Sequence, residues 1–374
     1  MLMKRDTTRL KSVKIQGFKS IPYNHPLELS LGDVNILLGA NGAGKSNIVG
    51  FFKMLGLMMR GSLQRFVAVS GTNRKFLHYG AKKTPEMSAS LRFEASDSTD
   101  VYSFSLEAAV PDRLIIASEN IEWSSGIDGK PIMRKLQSDF NEAALVKATD
   151  RTQVYIRTLL EACRVYQFSD SSASSYMRQA STVDSAHYLQ SEAGNLASFL
   201  YYLKHNHQEA YRRISEYVRD VIPQFHDFYL EPENGYISLK WMDSSANDYV
   251  LSADQFSDGS IRFIALATLL LQPVETMPFV IIIDEPELGL HPYAIDQLNE
   301  MIKDASRHAQ IIVATQSTAI IDGFSADDIT VIDNDPSIDG TRARKLTEQE
   351  YHDWLEEYTL SELWNKNIIG GRPV

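Results

Sequence analysis

Hydrophobic residues fall into three patterns along the chain, and each predicts a different kind of element. Apolar runs of strand length occur at Val34, Ile36, Leu37, Leu38, at Phe279 to Ile283 and at Ile311 to Ala314. Their lack of alternation predicts strands covered on both faces, as in a parallel sheet. Strict alternation marks Met87, Ala89, Leu91, Phe93 and then Tyr102, Phe104, Leu106, with Leu114 to Ala117 and Ile121 to Trp123 following. Joined by polar turns, these predict an antiparallel sheet that is half exposed. Spacing of three and four residues marks Ile48, Val49, Phe51, Phe52, Met54, then Leu196, Phe199, Leu200, Leu203, and Tyr211, Ile214, Val218, Val221 before Pro223. Helices are expected there. Shorter strands are expected on either side of Gly17-Phe18-Lys19-Ser20, and at Phe228, Leu230 and Ile237 to Trp241. The serine-rich stretch Ser169 to Ser175, with its surroundings to about 192, reads as an exposed, mobile connection. No heptad pattern persists, so no long coiled coil is encoded.

Between the first buried run and the first helix lies Gly39-Ala40-Asn41-Gly42-Ala43-Gly44-Lys45-Ser46, which fits G-x-x-x-x-G-K-[ST] in the strand, loop, helix context that the motif needs. Gly39, Gly42 and Gly44 let the backbone wrap close to phosphate oxygens, and the helix presents free N–H groups to the same anion. Lys45 would reach the β and γ phosphates and Ser46 would ligate Mg²⁺, with Asn41 and Asn47 among the nucleotide contacts. An ordinary glycine-rich turn is the bland reading, and the flanking pattern weighs against it. The second buried run ends in Asp284-Glu285. Carboxylates at that end of a parallel strand lie where α/β sheets bind ligands. Asp284 would hold Mg²⁺ through water, and Glu285 would orient or deprotonate the attacking water. Phe256-Ser257-Asp258-Gly259-Ser260 precedes another helical run, placing a serine and a glycine at a helix start. Pro286 to Pro292 makes a tight loop after the acids, and the third buried run ends in Gln316-Ser317. Phe18 and Lys19 are candidates for touching a base; adenine recognition stays open.

Charge and cysteine content narrow the setting. Lys+Arg 37 against Asp+Glu 48 gives a net charge of −11, which excludes a surface basic all over. A local basic stripe of Arg212, Arg213 and Arg219 remains open, with Glu216 as an alternative partner for Arg213. Cys163 stands alone, so neither an internal disulfide nor a cysteine zinc cluster is expected. The polar, basic stretch from Met1 to Lys11 has no apolar core, and Phe263 to Leu271 is too short to span a bilayer, so a cytoplasmic location away from membranes is expected. Asp333 and Asp335 form a D-x-D at a strand end, but the stretch beyond it is too short for a βαβ nuclease domain, and the acids from Glu348 to Glu357 read as a solvated helix face.

With these motifs in place, the sequence resembles the ABC-type ATPases of the SMC/RecF/OLD class, and more closely the small bacterial ATPases found in phage-defence operons. The resemblance extends to the ending, Leu363-Trp364 through Gly370-Gly371-Arg372-Pro373. It implies an α/β ABC-type P-loop ATPase head with a mixed central sheet, an antiparallel β subdomain and a helical insertion. The expected division is 1–135 for the N-terminal lobe, 136–224 for the helical insertion and 225–374 for the C-terminal lobe. It further implies that Ser257 and Gly259 contact the γ-phosphate held by a partner protomer, in an ATP-dependent homodimer, and that 286–292 is the D-loop. Three departures stand out: Gln316 replaces the usual switch histidine, Asp258 replaces a glycine, and the Q-loop glutamine is not identifiable, with His78 in about the right region. The expectation is a slow, Mg²⁺-dependent ATPase that regulates a separately encoded effector, a nuclease or toxin, in antiviral defence. The alternatives are a RecF-like repair ATPase binding DNA ends or gaps and an ATP-gated scaffold with negligible hydrolysis.

Overall fold

Two six-stranded sheets organise the chain, one antiparallel and one mostly parallel, in a computed structural model that describes residues 8–125 and 129–372. Pro373, at the very end of the motif-bearing C-terminal stretch, and the start of the chain before Thr8 lie outside the described residues. Strands β1 (Arg9–Gln16) and β2 (Leu27–Ser30) open the antiparallel sheet, and β3 (Val34–Leu38) opens the other. Helices α1 (Lys45–Met59) and α2 (Leu63–Ser70) follow, then β4 (Glu86–Glu94), β5 (Ser98–Ala109), β6 (Arg113–Ser125) and β7 (Ile132–Lys135). The antiparallel order is β2-β1-β4-β5-β6-β7. Leu10, Val13 and Ile15 break strict alternation, and a bulge between Leu10 and Ser12 restores the phase so that all three stay buried.

After α3 (Arg151–Glu161), strand β8 (Cys163–Tyr166) joins the parallel sheet. Helices α4 (Leu196–Asn206) and α5 (Gln208–Val221) come next. The two-residue strand β9 (Ser181–Thr182) lies before them and pairs with β11 (Tyr236–Ile237), while β10 (Phe225–Tyr229), β12 (Lys240–Asp243) and β13 (Ala246–Ser252) form a small antiparallel sheet. The remaining core elements are α6 (Asp258–Leu270), β14 (Val280–Asp284), α7 (Pro292–Ala305), β15 (Gln310–Thr315), α8 (Thr318–Ile321), β16 (Ile329–Asp335), β17 (Gly340–Lys345), α9 (Glu348–Leu355) and α10 (Leu360–Asn365). The central order is β17-β16-β3-β15-β14-β8, parallel except for the β16–β17 pair.

Two hydrophobic cores lie on the two faces of that central sheet. Phe51 and Phe52 of α1 pack in one core with Phe18, with Phe104 and Leu91 of the antiparallel sheet and with Val165, Ile282 and Ile312 of the central one. Helices α4, α5, α6 and α7 cover the other face through Phe199, Ile214, Phe263 and Leu298 against Ile36, Ile281 and Val313. Covering on both faces explains why β14 and β15 carry unbroken apolar runs.

The stretch 136–224, expected as a helical insertion, holds α3, α4 and α5 and also contributes β8, which forms the edge of the central sheet beside β14. Four residues of strand directly after a helix give no periodicity to detect, and the open edge of β14 is what recruits them. Among the described residues no helix is long and apolar enough to cross a membrane.

Candidate functional site

Strand register alone brings the site together. Leu38 lies opposite Thr315, Ala314 opposite Asp284, and Ile283 opposite Tyr166. The strands β3, β15, β14 and β8 therefore end level, and the residues that come directly after them are Gly39, Gln316, Glu285 and Gln167. This is the carboxyl edge of a parallel sheet, the usual ligand edge of such folds.

The phosphate-loop candidate is held tightly from behind. A side chain at Gly44, which sits at φ +111° and caps α1, would run into Thr341, and one at Gly39 would meet the Ile332 carbonyl. No side chain caps α1, so its first N–H groups stay open to an anion. Lys45 is buried and donates from Nζ to the Gly39 and Ala40 carbonyls at 2.7 and 3.0 Å. Burial lowers its pKa, while Glu285, Asp284 and Glu287 pull it back up, so the three acids lie within electrostatic reach of the ammonium. Asn41, Gly42 and Ser46 are placed at the open side of the loop, with Asn41 and Ser46 exposed. Asn47, expected as a nucleotide contact, commits its amide instead to a donor relay: Asn47 Nδ2 to Ser20 Oγ at 2.7 Å, Ser20 to Thr341 Oγ1 at 2.7 Å, and Thr341 to the Ala43 carbonyl at 3.0 Å.

Asp284 ends β14 half-buried. Its Oδ2 accepts from Gln167 Nε2 at 3.1 Å, and its Oδ1 is buried with no partner. Burial, then the neighbouring Glu285 charge, raise the carboxyl pKa, against the lowering effects of Gln167 and Lys45. An orphaned carboxylate oxygen facing a lysine-bearing loop, with the exposed Ser46 hydroxyl at the start of α1, is a hard-oxygen donor set that fits Mg²⁺. Glu285 occupies the left-handed region at φ +47° with its N–H bonded to the Ala314 carbonyl at 2.8 Å, a strained turn of the kind that functional sites retain.

Two residues of this edge escaped the sequence reading. Gln167, the residue after β8, is the glutamine that touches Asp284; the only sequence signal was its place directly behind a short apolar strand, matching Gln316 behind β15. His78, the residue that stood in about the right region, bonds the Lys19 carbonyl through Nδ1 at 2.8 Å and belongs to a different wall. Glu287, seen only as loop, accepts from Thr315 Oγ1 at 2.6 Å and from the Gln316 N–H at 3.3 Å. It thereby ties the loop after the acids to the end of β15. Burial raises its carboxyl pKa, and its Oε2 has no partner.

The serine–glycine motif starts α6. Ser257 Oγ accepts from the Ser260 N–H at 3.1 Å and is exposed, while Gly259 lies so close to the Gly289 carbonyl that no Cβ fits. Arg262, one turn further on, donates to the Phe168 carbonyl at 2.9 Å, to Leu288 at 2.8 Å and to Ser169 at 2.5 Å. One guanidinium thus joins α6, the segment after Gln167 and the loop after the acids. Arg178 likewise donates to the carbonyls of Ala253 and Phe256 and pairs with Asp258 at 3.2 Å. The serine-rich connection is exposed as expected at Ser169, Asp170, Ser172, Ala173 and Ser174, but it is anchored at Ser171, Ser175 and Met177, which are buried.

Beside the phosphate loop, a cavity of about 580 Å³ is lined by Lys19, Ser20, Gly42, Asn47, Tyr79 and Asp339, among others. Burial lowers the Lys19 pKa. Tyr79 and Lys83 close one wall by bonding the two oxygens of Asp339 at 2.8 and 2.9 Å.

The remaining candidates are occupied elsewhere. Asp335 accepts from the Ser337 N–H at 2.9 Å and pairs with Arg342 at 3.1 Å, and among the described residues no three His, Cys, Asp or Glu side chains gather as a metal set. Arg213 pairs with Asp304 of α7 at 2.8 Å rather than with Glu216, which lies 4.0 Å from Arg212; Arg219 donates to the His226 carbonyl. Cys163 is buried, with its thiol pKa pushed up to about 12 by burial.

A candidate phosphate loop and an acid-ended strand flanking β15 in a parallel sheet, with an antiparallel sheet against one face, give the chain the fold of an ABC-type P-loop ATPase head like that of SMC proteins. The chain belongs to the family described as "AAA domain, putative AbiEii toxin, Type IV TA system", which matches residues 34–322. Among solved structures, it is similar to an Smc head bound to the C-terminal winged-helix domain of ScpA, with 15% identity, TM-score 0.58, and 91% of this chain and 99% of that one covered. It is also similar to the Pyrococcus furiosus Smc head domain with an extended coiled coil bound to the C-terminal domain of ScpA, with 14% identity, TM-score 0.57, and 94% and 99% covered. At such identities the likeness is one of fold. No curated protein matches the chain.

Proposed function

We propose that this ATPase closes into a two-protomer ATP sandwich, hydrolyses ATP slowly and uses that cycle to control a separate effector. The observation that carries the catalytic half is the placement of Asp284, Glu285 and Gln167 on one sheet edge within electrostatic reach of Lys45, with Asp284 Oδ1 left unpartnered. ATP would lay its phosphates along Gly39 to Ser46 and its nucleoside into the cavity beside Lys19 and Tyr79. Lys45 turns from the Gly39 and Ala40 carbonyls to the β and γ phosphates. Ser46 and Asp284 would hold Mg²⁺, with Gln167 fixing the second carboxylate oxygen of Asp284, and the ion would supply charge neutralisation at the phosphates. Glu285 takes the proton of the attacking water.

Gln316 follows β15 on the same edge, and its amide would orient that water; an amide carries no proton as an imidazole does, so slow turnover is expected. Exposed Ser257 and half-buried Gly259, at the start of α6, would supply the γ-phosphate contacts to the partner's nucleotide. Only ATP offers that third phosphate, so ADP releases the closed state. The paired states of Arg212, Arg213 and Arg219 lend no support to a DNA-contacting stripe on α5.

The effector half draws on the toxin–antitoxin wording of the family description. Its test is biochemical. The purified protein should turn over ATP in a Lys45- and Glu285-dependent manner and leave DNA and RNA intact; cleavage of either by this chain alone contradicts the division of labour.

A further inference from the structure

The segment 359–372 runs from the helix that follows Gln316 to the phosphate-loop candidate that follows β3. Its start is anchored where Thr359 caps α10 and the Ser361 N–H donates to Asp322 at 2.8 Å, just past the turn that comes after Gln316. Leu363 and Ile369 are buried in the core. Arg344 fixes the approach, donating to the Ile369 carbonyl at 2.5 Å and to the Tyr351 hydroxyl at 2.7 Å. At the far end, the Gly371 carbonyl accepts from the Ala40 N–H at 3.1 Å.

That last bond holds one particular peptide plane. The Gly39 carbonyl and the Ala40 N–H belong to the same trans peptide and point in opposite directions. The carbonyl meets Lys45 Nζ at 2.7 Å in front, and the N–H meets Gly371 behind. When Lys45 leaves for a phosphate, the bond to Gly371 is the hydrogen bond of this peptide unit that remains among the described residues. Gly371 itself has no slack. It sits at φ +81°, and a Cβ there would lie 2.7 Å from Val331 Cγ1 and 3.4 Å from Trp364 Nε1.

We infer that Gly371 is a positioning residue for the nucleotide: its carbonyl sets the Gly39–Ala40 peptide, so the Gly370-Gly371-Arg372 segment preorganises the phosphate cradle. Preorganisation of a cradle common to both nucleotides strengthens ATP and ADP binding alike and leaves the chemistry to Glu285. This rests on the phosphate-loop reading of Gly39 to Ser46.

The test compares wild type, Gly371→Ala and Arg344→Gln for binding of fluorescent ATP and ADP analogues, for KM and kcat, and for thermal melting. Gly371→Ala should weaken both nucleotides about ten-fold, raise KM by a similar factor and hold kcat within about two-fold. Arg344→Gln, which frees the Ile369 carbonyl without altering Gly371, should shift both affinities the same way by a smaller factor. It supplies the reading if Gly371→Ala fails to fold. Unchanged affinities in the folded variants, or a fall in kcat at constant KM, overturn the inference. A wild type that binds neither nucleotide overturns instead the reading on which it rests.

Discussion

The Gln167 amide donates to Asp284 Oδ2 at 3.1 Å and leaves the buried Oδ1 of the same carboxylate open. A glutamine in that position fixes which oxygen faces a cation. Gln167→Ala should therefore raise the Mg²⁺ concentration for half-maximal ATP turnover about ten-fold while nucleotide binding without Mg²⁺ stays as it was, in line with losses on removing partners of metal-ligating side chains. Turnover titrated with MgCl₂ checks this.

Glu285 is assigned the proton of the attacking water, and Lys45 and Asp284 the binding of phosphates and metal. Glu285→Gln should lower kcat by roughly 10² to 10⁴ with ATP affinity retained, as expected for removal of a general base. Lys45→Ala should instead lose ATP binding. Equal loss of binding in both variants would show that the roles have been divided wrongly.

Arg262 satisfies three carbonyls at once, those of Phe168, Ser169 and Leu288. An ammonium has the charge but not the planar fork, so Arg262→Lys should fail to rescue what Arg262→Ala loses. Melting should fall in both, by about 2 to 3 kcal/mol of stability. The Mg²⁺ dependence should shift in the direction seen for Gln167→Ala, because the segment after Gln167 is released. A lysine variant with wild-type Mg²⁺ dependence would remove Arg262 from this role.

Asp100 of β5 is buried, and burial raises its carboxyl pKa from the usual 3.8 to about 6. A raised carboxyl favours the protonated form in the folded state, so its contribution is full below pH 4 and lost as the pH climbs through 6. Asp100→Asn should be more stable than wild type at pH 7 by about 2 kcal/mol, with the two converging below pH 4. Urea denaturation across that range measures the gap.

The parts of the fold visible in sequence were those with long, uniform signals. The buried runs at Phe279 to Ile283 and Ile311 to Ala314 became neighbouring parallel strands, and the alternation from Met87 to Trp123 became the antiparallel sheet. β8 was hidden because four residues carry no period, and Gln167 was hidden with it. The pinning of the serine-rich stretch also left no local trace, since it depends on Arg178 and Arg262 reaching carbonyls that are far away in sequence. For the same reason the ending Gly370-Gly371-Arg372 was recognisable without its role being visible: its contact with Ala40 joins residues at opposite ends of the chain.

The central claim is that each nucleotide is shared between the cradle of one protomer and the start of α6 in its partner. Light-scattering mass measurement on Glu285→Gln, with Mg²⁺ and either ATP or ADP and with Ser257→Arg added to the same background, tests it most directly. The account predicts twice the protomer mass with ATP, a single protomer with ADP, and a single protomer with ATP once Ser257 is replaced. A protein that stays monomeric with saturating ATP and Mg²⁺, while the wild type hydrolyses ATP at an undiminished rate per protomer on dilution, contradicts it.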